Sequence, residues 1–259
     1  MISTKLAILT ILQYILSFTG AWFWEQTSKR FLSVRPGIFP YAARLFFFSI
    51  GMTGPMWIGD ENLLFFFPMF LFLFLQCYQG TRSARISVGI TFYLLLAGLG
   101  MIVDSTYNLL PNNTWNLSDT LSICFKLGTA VFVFFLAQKL NPRKHALELP
   151  GRLWGLCILL SLAPLFTILS FSVWNGFGRN QMDISQYRIA YTILPFVLLS
   201  ALAILAAMIL LSKQQELEQI SRLSSMRETY YENLKRGERQ KIKPFSFGHG
   251  QTGECLCCE

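Results

Sequence analysis

Lys126 and Arg44 stand inside otherwise apolar runs of this chain, and a charge carried into an apolar environment has to be paired, snorkel to water or do chemistry. Lys126 lies roughly one and a half turns from the start of the run Leu121 to Ala137. Asp104 closes the preceding run, within plausible reach of it, and Asp60 and Glu61 fall in a short acidic turn on the same expected side. Two readings of Lys126 stay open: it snorkels, or it pairs with Asp104 and lines an outward-facing cavity. With Asp60 and Glu61, that cavity would suit a ligand with both charge and apolar bulk, such as a peptide. Arg44 lies about two turns from the inner end of its run and is expected to snorkel to the headgroups.

Other chemistry finds little support. The two histidines, His145 and His249, lie outside the apolar runs, against a membrane metal site. Cys255, Cys257 and Cys258 with His249 are too cramped for a structural zinc site, so no metal and no cofactor is expected. Cys77, Cys124 and Cys157 sit in apolar runs as small hydrophobes. Asn112 and Asn116 begin glycosylation sequons, which in an Asn-rich loop are expected by chance.

The elements that must hold these residues are membrane helices. Hydrophobic residues make up 53% of the chain and charged residues 14%, against about 25% charged in a soluble domain. The apolar runs are Leu6 to Trp24, Ile38 to Trp57, Leu63 to Tyr78, Ile86 to Val103, Leu121 to Ala137, Leu153 to Val173 and Ile189 to Leu211. Most approach the roughly 20 residues that cross a bilayer. Pro68, Pro164 and Pro195 are tolerable inside them where neighbours satisfy the freed carbonyls, and Gly98 and Gly100 are expected points of close packing. The fold class is therefore all-α: a polytopic membrane bundle of about seven spans (residues 1–211), a C-terminal cytoplasmic helix (212–240) and a short irregular tail (241–259).

Orientation follows from the basic residues. The connections after the first, third and fifth runs hold Lys29, Arg30, Arg35, Arg82, Arg85, Lys139, Arg143, Lys144 and Arg152. The opposite side holds Lys5, Arg179 and Arg188. The positive-inside bias places the N-terminus outside the plasma membrane and the C-terminus in the cytoplasm. The six tryptophans would then sit near the interfaces, Trp22, Trp24 and Trp154 at the inner one and Trp57, Trp115 and Trp174 at the outer one. The net charge of +8 is explained by this topology. Because the segment after Ser212 is nearly balanced, nucleic-acid binding is disfavoured.

After Ser212 the chain enters KQQELEQISRLSSMRETYYENLKRGERQ, rich in helix formers. Leu217, Ile220, Ser224, Arg227, Tyr231 and Leu234 recur at alternating spacings of three and four, a coiled-coil seam weak at its centre. A final span, a Gln/Glu-rich helix and the segment Met226 to Gln240, with Tyr231 and Leu234 in a Tyr-x-x-Leu-like stretch beside Tyr230, resemble the junction of peptide-pheromone-type sensor histidine kinases. The resemblance reaches to about Gln240. It implies a six- or seven-span sensor, a signalling and dimerisation helix, and then a GHKL-type ATPase domain.

The chain departs from that family at its end. The family's Arg-His-Asp segment and nucleotide boxes are replaced by KIKPFSFGHGQTGECLCCE, in which Gly250 follows His249 and Pro244 would break the presenting helix. Roughly 19 residues are too few for an ATP site. No catalytic residue is carried over, the chain as given is expected not to be an enzyme, and a truncation or shifted reading frame is expected after Gln240. The expected function is a membrane sensor module with a peptide or lipid-like ligand. Its expected partners are membrane lipid and either a second copy or an intact kinase. The alternative is a small multi-pass transporter or permease subunit, which needs polar residues meeting at mid-membrane.

Overall fold

The structure, a computed structural model, describes residues 2–53, 62–108, 115–140, 147, 149–177 and 184–241. It divides into two compact units, Met1–Lys213 and Gln214–Glu259. Seven α-helices are described: α1 (Ile2–Ser28), α2 (Phe39–Phe46), α3 (Asn62–Cys77), α4 (Arg82–Asn108), α5 (Trp115–Leu140), α6 (Gly151–Phe177) and α7 (Ile184–Lys241). A peptide group finds no partner in hydrocarbon, so apolar runs of this kind close their own hydrogen bonds as helices. The fold is all-α, and α1, α4, α5, α6 and α7 are long and apolar enough to cross a membrane. These five helices mark a membrane protein. Pro68, Pro164 and Pro195 all lie inside helices, as expected.

The second apolar run differs in detail from a plain helix. After α2 it widens into a π-helical segment, Phe47–Thr53. The hydroxyls of Ser49 and Thr53 donate to carbonyls in and just before this segment, including Leu45 and Phe48 at 3.0 Å each, which satisfies oxygens that a looser ladder leaves short. Residues 54–61 lie outside the described set, so the acidic turn expected there is not described.

Contacts within the first unit fix the helix directions. Gln13 Nε2 donates to Thr120 Oγ1 at 2.9 Å, and Trp22 and Phe23 meet Phe134 further along, so α1 and α5 run parallel. Tyr93 donates to the Leu63 carbonyl at 3.0 Å while Arg85 Nη1 donates to the Leu75 carbonyl at 2.7 Å, which makes α3 and α4 antiparallel. Thr106 donates to the Tyr191 hydroxyl at 3.4 Å and Gly98 lies against Leu198, so α7 is antiparallel to α4.

The connections after α1, α3 and α5 meet at one end of the bundle. Strand β1 (Ser33–Val34) pairs antiparallel with β2 (Tyr78–Gln79). The Arg35 amide donates to the Cys77 carbonyl at 3.0 Å and the Leu147 amide to the Phe31 carbonyl at 3.2 Å. Ser28 and Tyr78 share a buried hydrogen bond of 2.5 Å. Gly37 and Gly80 adopt φ of 90° and 135°, turning the chain where a side chain would strain. Lys29, Arg30, Arg35, Arg82, Arg85 and Arg152 therefore belong to one end, as the grouping of the basic connections required.

Helix α4 is the centre. Every residue from Ser87 to Met101 is buried. Rings of Trp24, Phe31, Phe47 and Phe74 surround Phe92 with centroids 5.9 to 6.1 Å away. In lipid, where tails are as apolar as side chains, such packing rather than water exclusion holds helices together. Gly98 fits this: a Cβ there would meet Leu198 at 3.0 Å. Trp24 and Trp154 are buried, their rings packed against protein, whereas Trp22 is exposed. Trp57 and the side chains of Trp115 and Trp174 lie outside the described residues.

In the second unit, every residue from Leu217 to Arg236 is exposed. At about 100° per residue, Leu217, Ile220, Leu223, Met226, Tyr230, Tyr231 and Leu234 all fall on one half of the helix. That apolar half is wider than the seam read from Leu217, Ile220, Tyr231 and Leu234 alone. Residues 242–259, including His249 and the terminal cysteines, lie outside the described set.

Candidate ligand site and the charges beneath it

Helix α5 turns one stripe inward: Ser122, Lys126, Ala130, Val133 and Ala137, spaced by three and four. Lys126 sits in that stripe with 3% of its surface exposed. The snorkelling alternative for Lys126 is thereby corrected, since the side chain is buried within the bundle instead of reaching past the helix to water. Helix α1 answers with Gln13, Ser17, Gly20 and Trp24 on one face. The Ser17 hydroxyl is fully buried and has no hydrogen-bond partner among the described residues. The Gln13–Thr120 bond and the Phe23–Phe134 ring contact set the register of these parallel helices, which places Ser17 within about one turn of Lys126 along the bundle axis.

Burial along α1 changes sharply at this level. None of residues 7–16 is buried, whereas Ser17, Gly20, Ala21, Trp24, Glu25, Thr27 and Ser28 all are. Helix α1 is therefore packed deeply toward the basic end and only partly covered in the other direction, where Gln13 still bonds to Thr120 across to α5. Of the other expected site residues, Asp60 and Glu61 lie outside the described residues, and so does the side chain of Asp104. Lys126 shares its inward stripe with Ser122 and lies near the level of Ser17, two residues that the pattern of charges alone did not single out.

A second buried charge lies deeper. Glu25 has no exposed side-chain surface; its Oε2 accepts from Arg44 Nε at 2.6 Å, and its Oε1 stands 2.5 Å from Lys29 Nζ. The Arg44 guanidinium also lies over the Phe18 ring, 5.8 Å from its centroid. Arg44 is thus corrected from a snorkelling residue to one end of an ion pair joining α2 to α1. The reason is physical: a guanidinium near a low-dielectric interior gains more from a charge-assisted bond than from stretching to the surface. Glu25 escaped notice because the first apolar run ends one residue before it. The signal was available, since Glu25 precedes Lys29 by four residues on a helix.

The interior at this level thus carries an ammonium, hydroxyls and an amide in an apolar surround, and the Gln13 amide is already bonded to Thr120. Among the described residues no cluster of His, Cys, Asp and Glu could hold a metal ion. Cys77 and Cys157 are buried and Cys124 exposed, all three as free thiols. No family model matches the chain, and neither a curated protein nor a solved structure does.

Proposed function

We propose that the chain is a membrane-embedded sensor module, similar to the input half of a peptide-pheromone-type sensor histidine kinase. In this reading it crosses the plasma membrane seven times, with the N-terminus outside and the basic end in the cytoplasm. The observation that carries the reading is α7. One helix of 58 residues buries Leu194, Val197, Ala201, Leu205 and Met208 in the bundle and later exposes an apolar half between Leu217 and Leu234. A helix shared between a lipid-embedded core and an unpartnered apolar face is suited to pass a displacement to a partner helix. That partner is a second copy or an intact kinase, which the module would silence by pairing with it.

The test is a chimera. Residues 1–240 are joined to the phosphotransfer and ATPase domains of a well-behaved histidine kinase, and one to seven alanines are inserted after Lys213. Helical coupling predicts autophosphorylation that rises and falls with insertion length and recovers at seven, two heptad-spaced turns later. Output indifferent to insertion length would sink the proposal. Buried charges at two levels, Lys126 and Glu25, also favour a second reading as a small transporter, which ion or solute flux in vesicles would reveal.

A further inference from the structure

We propose that acidic phospholipid headgroups sit on the basic end of the bundle at two seats, the Lys139 ammonium of α5 and the Arg152 guanidinium of α6, with their acyl chains along the exposed apolar stripes beneath. The inference goes beyond the sensor reading, because it needs only that these helices cross a membrane.

Charge comes first. Lys139 and Arg152 are exposed, and neither side chain makes a hydrogen bond or an ion pair among the described residues. Glu25 is the single carboxylate among the described side chains of the first unit, and it is fully buried and already matched to Arg44 and Lys29. The connection from Lys139 to Arg152 adds two more cations, Arg143 and Lys144, against one acid, Glu148. Both seats belong to the same end of the bundle. The Arg30 guanidinium lies 5.9 Å from the centroid of Phe134, five residues before Lys139, and the Leu147 amide bonds to the Phe31 carbonyl just ahead of α6.

What lies below each cation identifies the partner. On α5, Phe135, Phe132 and Phe125 fall within about 40° of Lys139 at 100° per residue, and each ring is more than half exposed. This line runs on the side of α5 away from the inward stripe through Lys126. On α6, Leu156, Leu159 and Phe166 fall within about 40° of Arg152, and they too are more than half exposed. A Cβ at Gly155 would meet nothing within 4 Å, so the surface between Arg152 and Leu159 is open to a chain. Lys139 to Phe132 and Arg152 to Leu159 each span about 10 Å, inside the roughly 15 Å that is half of the hydrocarbon core. A phosphate above acyl chains matches a cation above apolar side chains. An acidic phospholipid fits better than a zwitterionic one, whose own cation competes for the phosphate, and a soluble phosphate would leave both stripes unused.

The experiment uses the full chain, freed of lipid in detergent and offered phosphatidylglycerol or phosphatidylcholine of identical acyl chains, with retained lipid counted by native mass spectrometry. Each cation near an anionic headgroup layer is worth a factor of about five, so two seats predict that phosphatidylglycerol is retained about tenfold or more over phosphatidylcholine. Lys139→Gln and Arg152→Gln are each expected to lower that preference, and the double variant to lower it at least about fivefold. Lys139→Arg with Arg152→Lys is expected to keep it. Removing equal charge from the second unit, with Arg222→Gln and Arg227→Gln, is expected to leave it within about twofold. Soluble glycerol phosphate is expected not to displace the lipid. Equal retention of the two lipids, an unchanged preference in the double Gln variant, an equal loss in the second-unit variant, or displacement by glycerol phosphate overturns the inference. Both positions are exposed, and thermal unfolding of each variant shows that the bundle persists. The outcome is separate from that of the alanine series: flat output there leaves the lipid seats standing, and equal lipid retention here leaves the sensor reading standing.

Discussion

Replacing Glu25 with Gln removes one charge and leaves two behind. The Glu25 carboxylate is fully buried, accepts a hydrogen bond from Arg44 at 2.6 Å and stands 2.5 Å from the Lys29 ammonium, and the two cations keep 25% and 35% of their side-chain surfaces exposed. Removing one partner of a buried pair commonly costs about 3–5 kcal/mol because the remaining charge is uncompensated. Arg44 and Lys29 are each partly solvated and can rearrange toward water, so the cost here should fall to about 2–3 kcal/mol. The assay is unfolding in mixed micelles, with Glu25→Gln, Arg44→Gln and the double variant forming a cycle. Arg44→Gln should cost less than Glu25→Gln, since it leaves the carboxylate with Lys29 still beside it, whereas Glu25→Gln leaves two cations without their anion. The double variant should be more stable than the sum of the single losses implies, by at least about 1 kcal/mol. Glu25→Gln unfolding like the parent, or a strictly additive cycle, would refute the argument that this pair ties α2 to α1.

The floor and the packing points give further expectations. Tyr78→Phe and Ser28→Ala should each cost about 0.5–1.5 kcal/mol, and the double variant little more than either, because both remove the same buried hydrogen bond; micelle unfolding reads this. Gly98→Leu should destabilise by about 1–3 kcal/mol, since a Cβ there already meets Leu198 at 3.0 Å. Gly20→Ala should cost less, under about 1 kcal/mol, because its neighbour is the flexible tip of Met52. If a second copy covers the apolar half of the C-terminal helix, a cysteine at Leu223 should cross-link between copies under mild oxidation. One at Ser225, on the opposite side, should not.

Much of the architecture was legible because lipid simplifies the rule: an apolar run must be a helix. The runs Ile86 to Val103 and Leu153 to Val173 lie inside α4 and α6, and the basic connections share one end as their charge required. What escaped depends on tertiary placement. No local pattern distinguishes Trp24, buried against Phe92, from Trp22, exposed two residues earlier. The π-helical turn after Phe46 and the short ladder between Ser33–Val34 and Tyr78–Gln79 involve so few residues that periodicity carries no trace of them. Lys126 was legible as an anomaly, but its inward direction depends on how α5 rotates against α1. Arg44 was misread for want of its partner, since a pair joining residues 19 apart on different helices leaves no spacing signal. Leu223, Met226 and Tyr230 fall outside a strict three-four alternation, so that pattern does not reveal that they share the exposed half of the helix with Leu217, Ile220, Tyr231 and Leu234.

The central claim is that the basic end and the helix beyond Lys213 face the cytoplasm. A variant with its native cysteines replaced and a single cysteine at Ser221, an exposed position, tests it with a membrane-impermeant maleimide. The account predicts no labelling in intact cells and full labelling once the membrane is opened. Equal labelling in intact and opened cells would contradict it and remove the receptor assignment.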